Sequence, residues 1–246
     1  MSHNIPKGGL RMLRPFAASV FLILTTAMAA AAPARIVILT SAEAADAWQL
    51  CEVGSQRAQG LRYNYLGAKA AKTLFSEEEP PAFFFAIDPL TVATATPASL
   101  SWRKPIIHYS VLPQDDAKKM EEALHERTRE AAGNILNNPA LRGKTVVMVW
   151  DSRHIADPEL DKKFEREAAV TLRQLFHLDI LPGVPREWPD RNHDYFWIVN
   201  FPENSNVPLK FEMVKQDFGK SFPKVPANDW GKLSGLDKVS GCQVAP

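Results

Sequence analysis

Long apolar runs, clustered cations and cysteines are all scarce in this sequence, and each scarcity removes a class of function. The longest strongly apolar stretch, Phe16 to Leu24 with an Ala/Thr extension, falls short of the ~20 residues that span a bilayer. No block of Lys and Arg is present to follow a phosphate backbone, and the aromatic residues are not interleaved with cations, so nucleic acid is not an expected partner. A complete P-loop is missing as well: Gly219, Lys220 and Ser221 imitate its end, but Val214 stands where the first glycine is needed and Pro223 blocks the helix that should follow. There is no Gly-x-Ser-x-Gly elbow and no spacing typical of a metal site, so neither a metal nor a cofactor is expected.

The content that remains is that of an exported globular chain. With 246 residues, 46% of them hydrophobic and 23% charged, the sequence fits one domain with a substantial core. Residues 1–32 differ from the rest. Lys7, Arg11 and Arg14 precede an apolar run that ends in small residues offering Ala-x-Ala frames, the order of a secretory signal peptide, with a membrane anchor as the alternative. Cleavage near Ala32 would leave 26 basic and 28 acidic residues, a periplasmic or secreted protein free of the membrane. Export would also permit a disulfide between Cys51 and Cys242, two separate buried thiols being the alternative. A monomer is expected, with an unidentified ligand or protein as its partner.

Residues 33–246 read as repeated βα units. Continuous apolar runs at 34–39, 81–87, 104–111 and 144–150 suit parallel strands buried on both faces. A helix from about Ser55 places Ala58, Leu61, Tyr65 and Ala68 on one face, and another over 114–137 carries Ala117, Met120, Leu124, Ala131 and Ile135. Asp157 and Pro158 open a further helix with Leu160, Phe164, Ala168 and Leu172 recurring at four. Runs at 194–201 and 207–214, separated by Pro202, Asn204, Ser205 and Asn206, follow hairpin grammar, and an irregular tail begins near Gly219. The expected fold is a three-layer α/β/α domain with a mostly parallel central sheet and an antiparallel edge near the C-terminus.

In open α/β sheets the ligand crevice lies beyond the carboxyl ends of the strands. The residues there form a pattern: Thr40-Ser41-Ala42-Glu43 after the first strand, Gly54 with Gln56-Arg57-Ala58 in the helix, Asp88-Pro89-Leu90 with Thr96 after the second strand, and Trp150-Asp151-Ser152-Arg153-His154-Ile155 after the fourth. Over nearly all of residues 33–246 this layout resembles the histidine phosphatase, or phosphoglycerate mutase-like, superfamily. The late Glu187-Trp188-Pro189-Asp190 stretch is also similar to one bacterial branch.

That resemblance implies a nucleophilic His beside an Arg, a second Arg and a second His around the phosphoryl group, with a carboxyl donating the leaving-group proton. Carried over by position, Thr40 replaces the first Arg, Ser41 the nucleophile, Val92 the second Arg and Ser152 the second His. Neutral hydroxyls bind an oxyanion about half as strongly as charge-assisted donors, so the expectation is a pseudoenzyme with no catalytic residues. Glu43, Asp88, Thr91, Asp151, Arg153 and His154 are the candidate crevice residues. The alternative is an active hydrolase: a phosphomonoesterase with relocated groups, or an esterase using Ser41, for which no His lies within sequence reach.

Overall fold

The computed structural model describes residues 1–3, 32–76, 78–232 and 241–242; apart from its two ends, the leader expected over 1–32 lies outside the described residues. In chain order the main elements are β1 (Arg35–Thr40), α1 (Glu52–Leu61), β2 (Pro81–Ala86), α2 (Pro89–Trp102), β3 (Ile106–His108), α3 (Ala117–Asn137), β4 (Thr145–Trp150), α4 (Ser152–Ile155), α5 (Pro158–Lys163), α6 (Leu172–Leu175), β5 (Tyr195–Asn200) and β6 (Lys210–Lys215). Six strands form one mixed sheet in the order β3-β2-β4-β1-β5-β6. The first four in that row run parallel, and β5 pairs antiparallel with both β1 and β6.

The central strands are apolar between their ends because both of their faces are covered. Along β1, Ile36 and Ile38 enter one core cluster with Ala131 and Ile135 of α3 and with Trp150. Val37 and Leu39, pointing the other way, join Leu61 of α1 and Ala95 and Ala98 of α2 in a second cluster. The period of two thus divides one hydrophobic run between two cores.

Parallel pairing aligns Thr40 with Trp150 and Val149 with Ala86, so β1, β2 and β4 end at the same edge of the sheet. Since β5 is antiparallel to β1, with Ile38 opposite Trp197, the start of β5 arrives at that edge too.

One local expectation changes. The Leu160–Leu172 pattern is not one helix: α5 stops at Lys163, Phe164 leaves helical geometry, and α6 is a separate turn. A repeat of four advances about 40° per step against a helix of 3.6 residues per turn, so three steps carry the stripe about 120° off its face. The helix after β2 starts at Pro89, capped by Asp88, and accommodates Pro97 in its interior.

Residues 219–232 have little regular structure but are packed into the molecule. Val225 and Asn228 are buried, the Pro226 carbonyl accepts from Arg57, and the Trp230 N–H donates to the Tyr195 hydroxyl. Cys51 and Cys242 form a disulfide across 191 residues of chain, with Cα atoms 5.1 Å apart.

Candidate crevice at the strand ends

A cavity of about 180 Å³ opens at the shared edge of β1, β2 and β4. Thr40, Ser41, Ala42 and Ala44 come to it from β1 and its loop, Asp88 from the end of β2, and Asp151 and Ser152 from the end of β4. The segment leading into β5 adds Asp190, Arg191 and His193. A larger depression of about 650 Å³ lies by α5 and α6, lined by Asp161, Glu165, His177 and Asp179 among others. It is remote from the converging strand ends, which makes the smaller cavity the better candidate.

The local structure explains the crevice chemistry. Asp88 is the N-cap of α2: its Oδ1 accepts from the Thr91 N–H at 2.7 Å, while the Thr91 hydroxyl accepts from the Asp88 N–H, completing a capping box. Thr91 is therefore fully buried in the cap and does not line the cavity. Asp151 caps α4 in the same way, accepting from the His154 N–H at 3.0 Å and from His154 Nδ1 at 2.6 Å.

These environments drive the two carboxyls apart. Burial raises the Asp88 pKa, reinforced by the Asp151 charge against the hydrogen bonds of the cap. Burial also acts to raise Asp151, but the hydrogen bond and charge of His154 outweigh it and lower its pKa.

Besides Thr91, three more of the candidates stand outside the cavity lining. Glu43 is 2% exposed and turned from the cavity onto Arg57 of α1, with Oε1 2.7 Å from Nη2 and Oε2 3.0 Å from Nε. The same guanidinium reaches Asp194 Oδ1 at 2.9 Å and Gln216 Oε1 at 3.2 Å. Burial pushes the Glu43 carboxyl up, but Arg57, His193 and hydrogen bonds offset this and hold its pKa at about 2. Close contact is built in here: a Cβ on Gly54 would lie 2.0 Å from the Glu43 carbonyl oxygen.

Arg153 pairs with Asp157 at 3.0 Å and lines a different surface groove with Glu121 and Lys163. His154 is 1% exposed, its ring centroid 5.1 Å from that of His125, and it reaches the crevice through its hydrogen bonds with Asp151. Val92, half-buried on α2, is not among the cavity's lining residues.

The sequence reading missed Arg191 and His193. His193 Nδ1 lies 2.5 Å from the Ser41 carbonyl oxygen, which only accepts, so Nδ1 carries the proton and Nε2 is left as an acceptor in the neutral ring. Burial lowers the His193 pKa, more than the Glu43 charge raises it. A histidine does come to Ser41, then, from 152 positions away. The expected antiparallel edge did not say which strand β5 would join; its pairing with β1 is what sets the start of β5 beside the end of β1. Compared with family models, curated proteins and solved structures, the chain matches none.

Proposed function

We propose that the protein is an exported pseudoenzyme on a three-layer α/β/α scaffold of the histidine phosphatase type, monomeric, with a crevice that binds a ligand without transferring phosphoryl groups. One observation carries this reading: the Thr91 N–H at the start of α2 and the His154 N–H at the start of α4, donors that could otherwise serve an oxyanion at this edge, are taken by Asp88 and Asp151. The positions that resemble the family's two Arg and two His hold Thr40, Ser41, Val92 and Ser152. Core clusters on both sides of the sheet support the layering.

Orthovanadate tests the reading. A ligand at a hundred times its dissociation constant adds about 2.7 kcal/mol of stability, so a phosphate-like ion that bound would raise the melting temperature visibly. No shift is expected. The combined variant Thr40→Arg, Ser41→His, Val92→Arg and Ser152→His is expected to gain a shift, while each single change is not, because such groups act as a unit. A clear vanadate shift in the unmodified protein overturns the proposal.

A second reading has one observation in its favour. His193 beside Ser41 makes a serine-dependent hydrolase conceivable, with Nε2 as the base. The contact is to the Ser41 carbonyl and not to its hydroxyl, so the nucleophile-base hydrogen bond is not formed.

A further inference from the structure

Two buried histidines take no part in the crevice lining. His125 of α3 is 7% exposed and His154 of α4 is 1% exposed, with ring centroids 5.1 Å apart. The Nε2 of each is enclosed and has no hydrogen-bond partner among the described residues. Buried polar atoms are ordinarily paired, so two orphans side by side call for a cause. We propose that His125 and His154 form a proton switch, which releases the corner at Phe164 from α3 as the pH falls.

The tautomer of His154 is fixed. Its Nδ1 lies 2.6 Å from the Asp151 carboxylate, which only accepts, so the proton sits there and Nε2 keeps a lone pair in the neutral ring. A second proton on this ring puts a donor at Nε2 with no acceptor to receive it. On His125 a second proton meets a similar want: Glu121 Oε1 stands 3.8 Å from Nε2, beyond hydrogen-bond reach. Two imidazolium rings this close in a buried site also repel each other, so the pair takes up its protons in coupled steps.

The surrounding charges set the direction. Burial, then the charge of His154, lowers the His125 pKa; Glu121 raises it, and Lys163 and Arg129 lower it further. Lys163 holds its ammonium 4.9 Å over the Phe164 ring, and His125 packs against that ring at 4.8 Å. An imidazolium there shares the ring with a second cation. Arg153 of α4 lies 3.9 Å from Glu121 and draws on the same carboxylate. Asp157 and Asp161 of the α5 region are taken by Arg153 and by Arg173 of α6, while Glu159 and Lys162 line the neighbouring surface groove.

A base held below its ordinary value of ~6.5 contributes stability that is fully present above ~6.5 and is lost as the pH falls toward its folded value. Phe164 is where the loss shows. It ends α5, and residues 165, 167 and 168 beyond it are exposed.

The test follows the disulfide-bonded chain from pH 8 to 5.5 by imidazole nitrogen shifts and by amide exchange at 160–168, corrected for the intrinsic rate. His125 is expected to titrate below ~6.5, and the corner to lose up to about tenfold in protection, the limit for one proton over one pH unit below that value. Strands β1 and β4 are expected to keep theirs. His125→Phe retains a ring that takes no proton and is expected to flatten the profile. His154→Asn retains a donor for Asp151 without the imidazole charge and is expected to raise the point at which His125 titrates.

An unchanged corner between pH 8 and 5.5 overturns the proposal, as does equal loss throughout the sheet or a His125 that titrates at or above ~6.5. So does a His125→Phe corner that still opens in acid, or a His125 titration unmoved by His154→Asn. Should His125→Phe fail to fold, the two measurements on the unmodified chain decide alone. None of these outcomes bears on what the crevice binds, which the vanadate titration tests.

Discussion

Arg57→Met is expected to destabilise the protein by about 3–5 kcal/mol, the cost of breaking a buried ion network by removing one partner. The side chain is 1% exposed and offers its guanidinium to Glu43, Asp194 and Gln216 and to the carbonyls of His193 and Pro226. Methionine leaves Glu43 and Asp194, both buried, without their cation and in mutual repulsion. For a chain of this size the loss lowers the melting temperature by roughly 6–20 °C.

The pH dependence follows from the same network. Glu43 is held at about 2, below its ordinary value, so its ionised form contributes stability that is fully present above ~4.3 and is lost as pH falls through about 2. In the variant that acid-side loss is expected to shrink, because the group that lowers the Glu43 pKa is gone. Urea unfolding at pH 7 and pH 3 measures both effects. A cost under about 1 kcal/mol at pH 7 would contradict the network's role. Arg57→Lys is expected to recover only part of the loss, since an ammonium lacks the planar fork that engages both carboxylates.

Cys242→Ser is the other large perturbation. The bond to Cys51 closes a loop of 191 residues, and in the chain-entropy model so long a loop is worth up to about 5 kcal/mol. The anchored end also matters, because Cys51 is the N-cap of α1 and its N–H donates to the Glu43 carbonyl at 3.0 Å. Opening the bond frees the tail that covers Arg57 through Pro226. Protein recovered without reductant should show no labelled thiol after denaturation, and the serine variant should melt well below it. Two free thiols per chain would remove the bond and the stabilisation together.

Much of the sheet was legible because buried parallel strands leave continuous apolar runs, and β1, β2, β4 and the β5–β6 hairpin fall where those runs are. β3 shrank to Ile106–His108, a short edge strand whose outer side pairs with no strand among the described residues. The broken segment after Lys163 misled because a period of four looks helical over one step and drifts over three.

At the crevice, residues near each strand end in sequence were readable, so Thr40, Ser41, Asp88, Asp151 and Ser152 do meet. Orientation was not readable. Glu43 follows Ala42 by one position and faces the core because a guanidinium waits there; Arg153 follows Ser152 and faces Asp157 instead. His193 entered from a distant segment, which only the pairing of β5 with β1 brings near.

The central claim is that this crevice does not carry out phosphoryl or acyl transfer, and turnover tests it most directly. The chain from Ala32 onward, with its disulfide formed, is incubated with p-nitrophenyl phosphate and p-nitrophenyl acetate from pH 4 to 8, beside Ser41→Ala and His193→Ala. The account predicts rates at the level of buffer for the phosphate ester, and a slow acetate background that neither substitution changes. Turnover of either ester that is lost in Ser41→Ala and in His193→Ala while both variants remain folded would contradict it, and would make the Ser41–His193 pair the active centre.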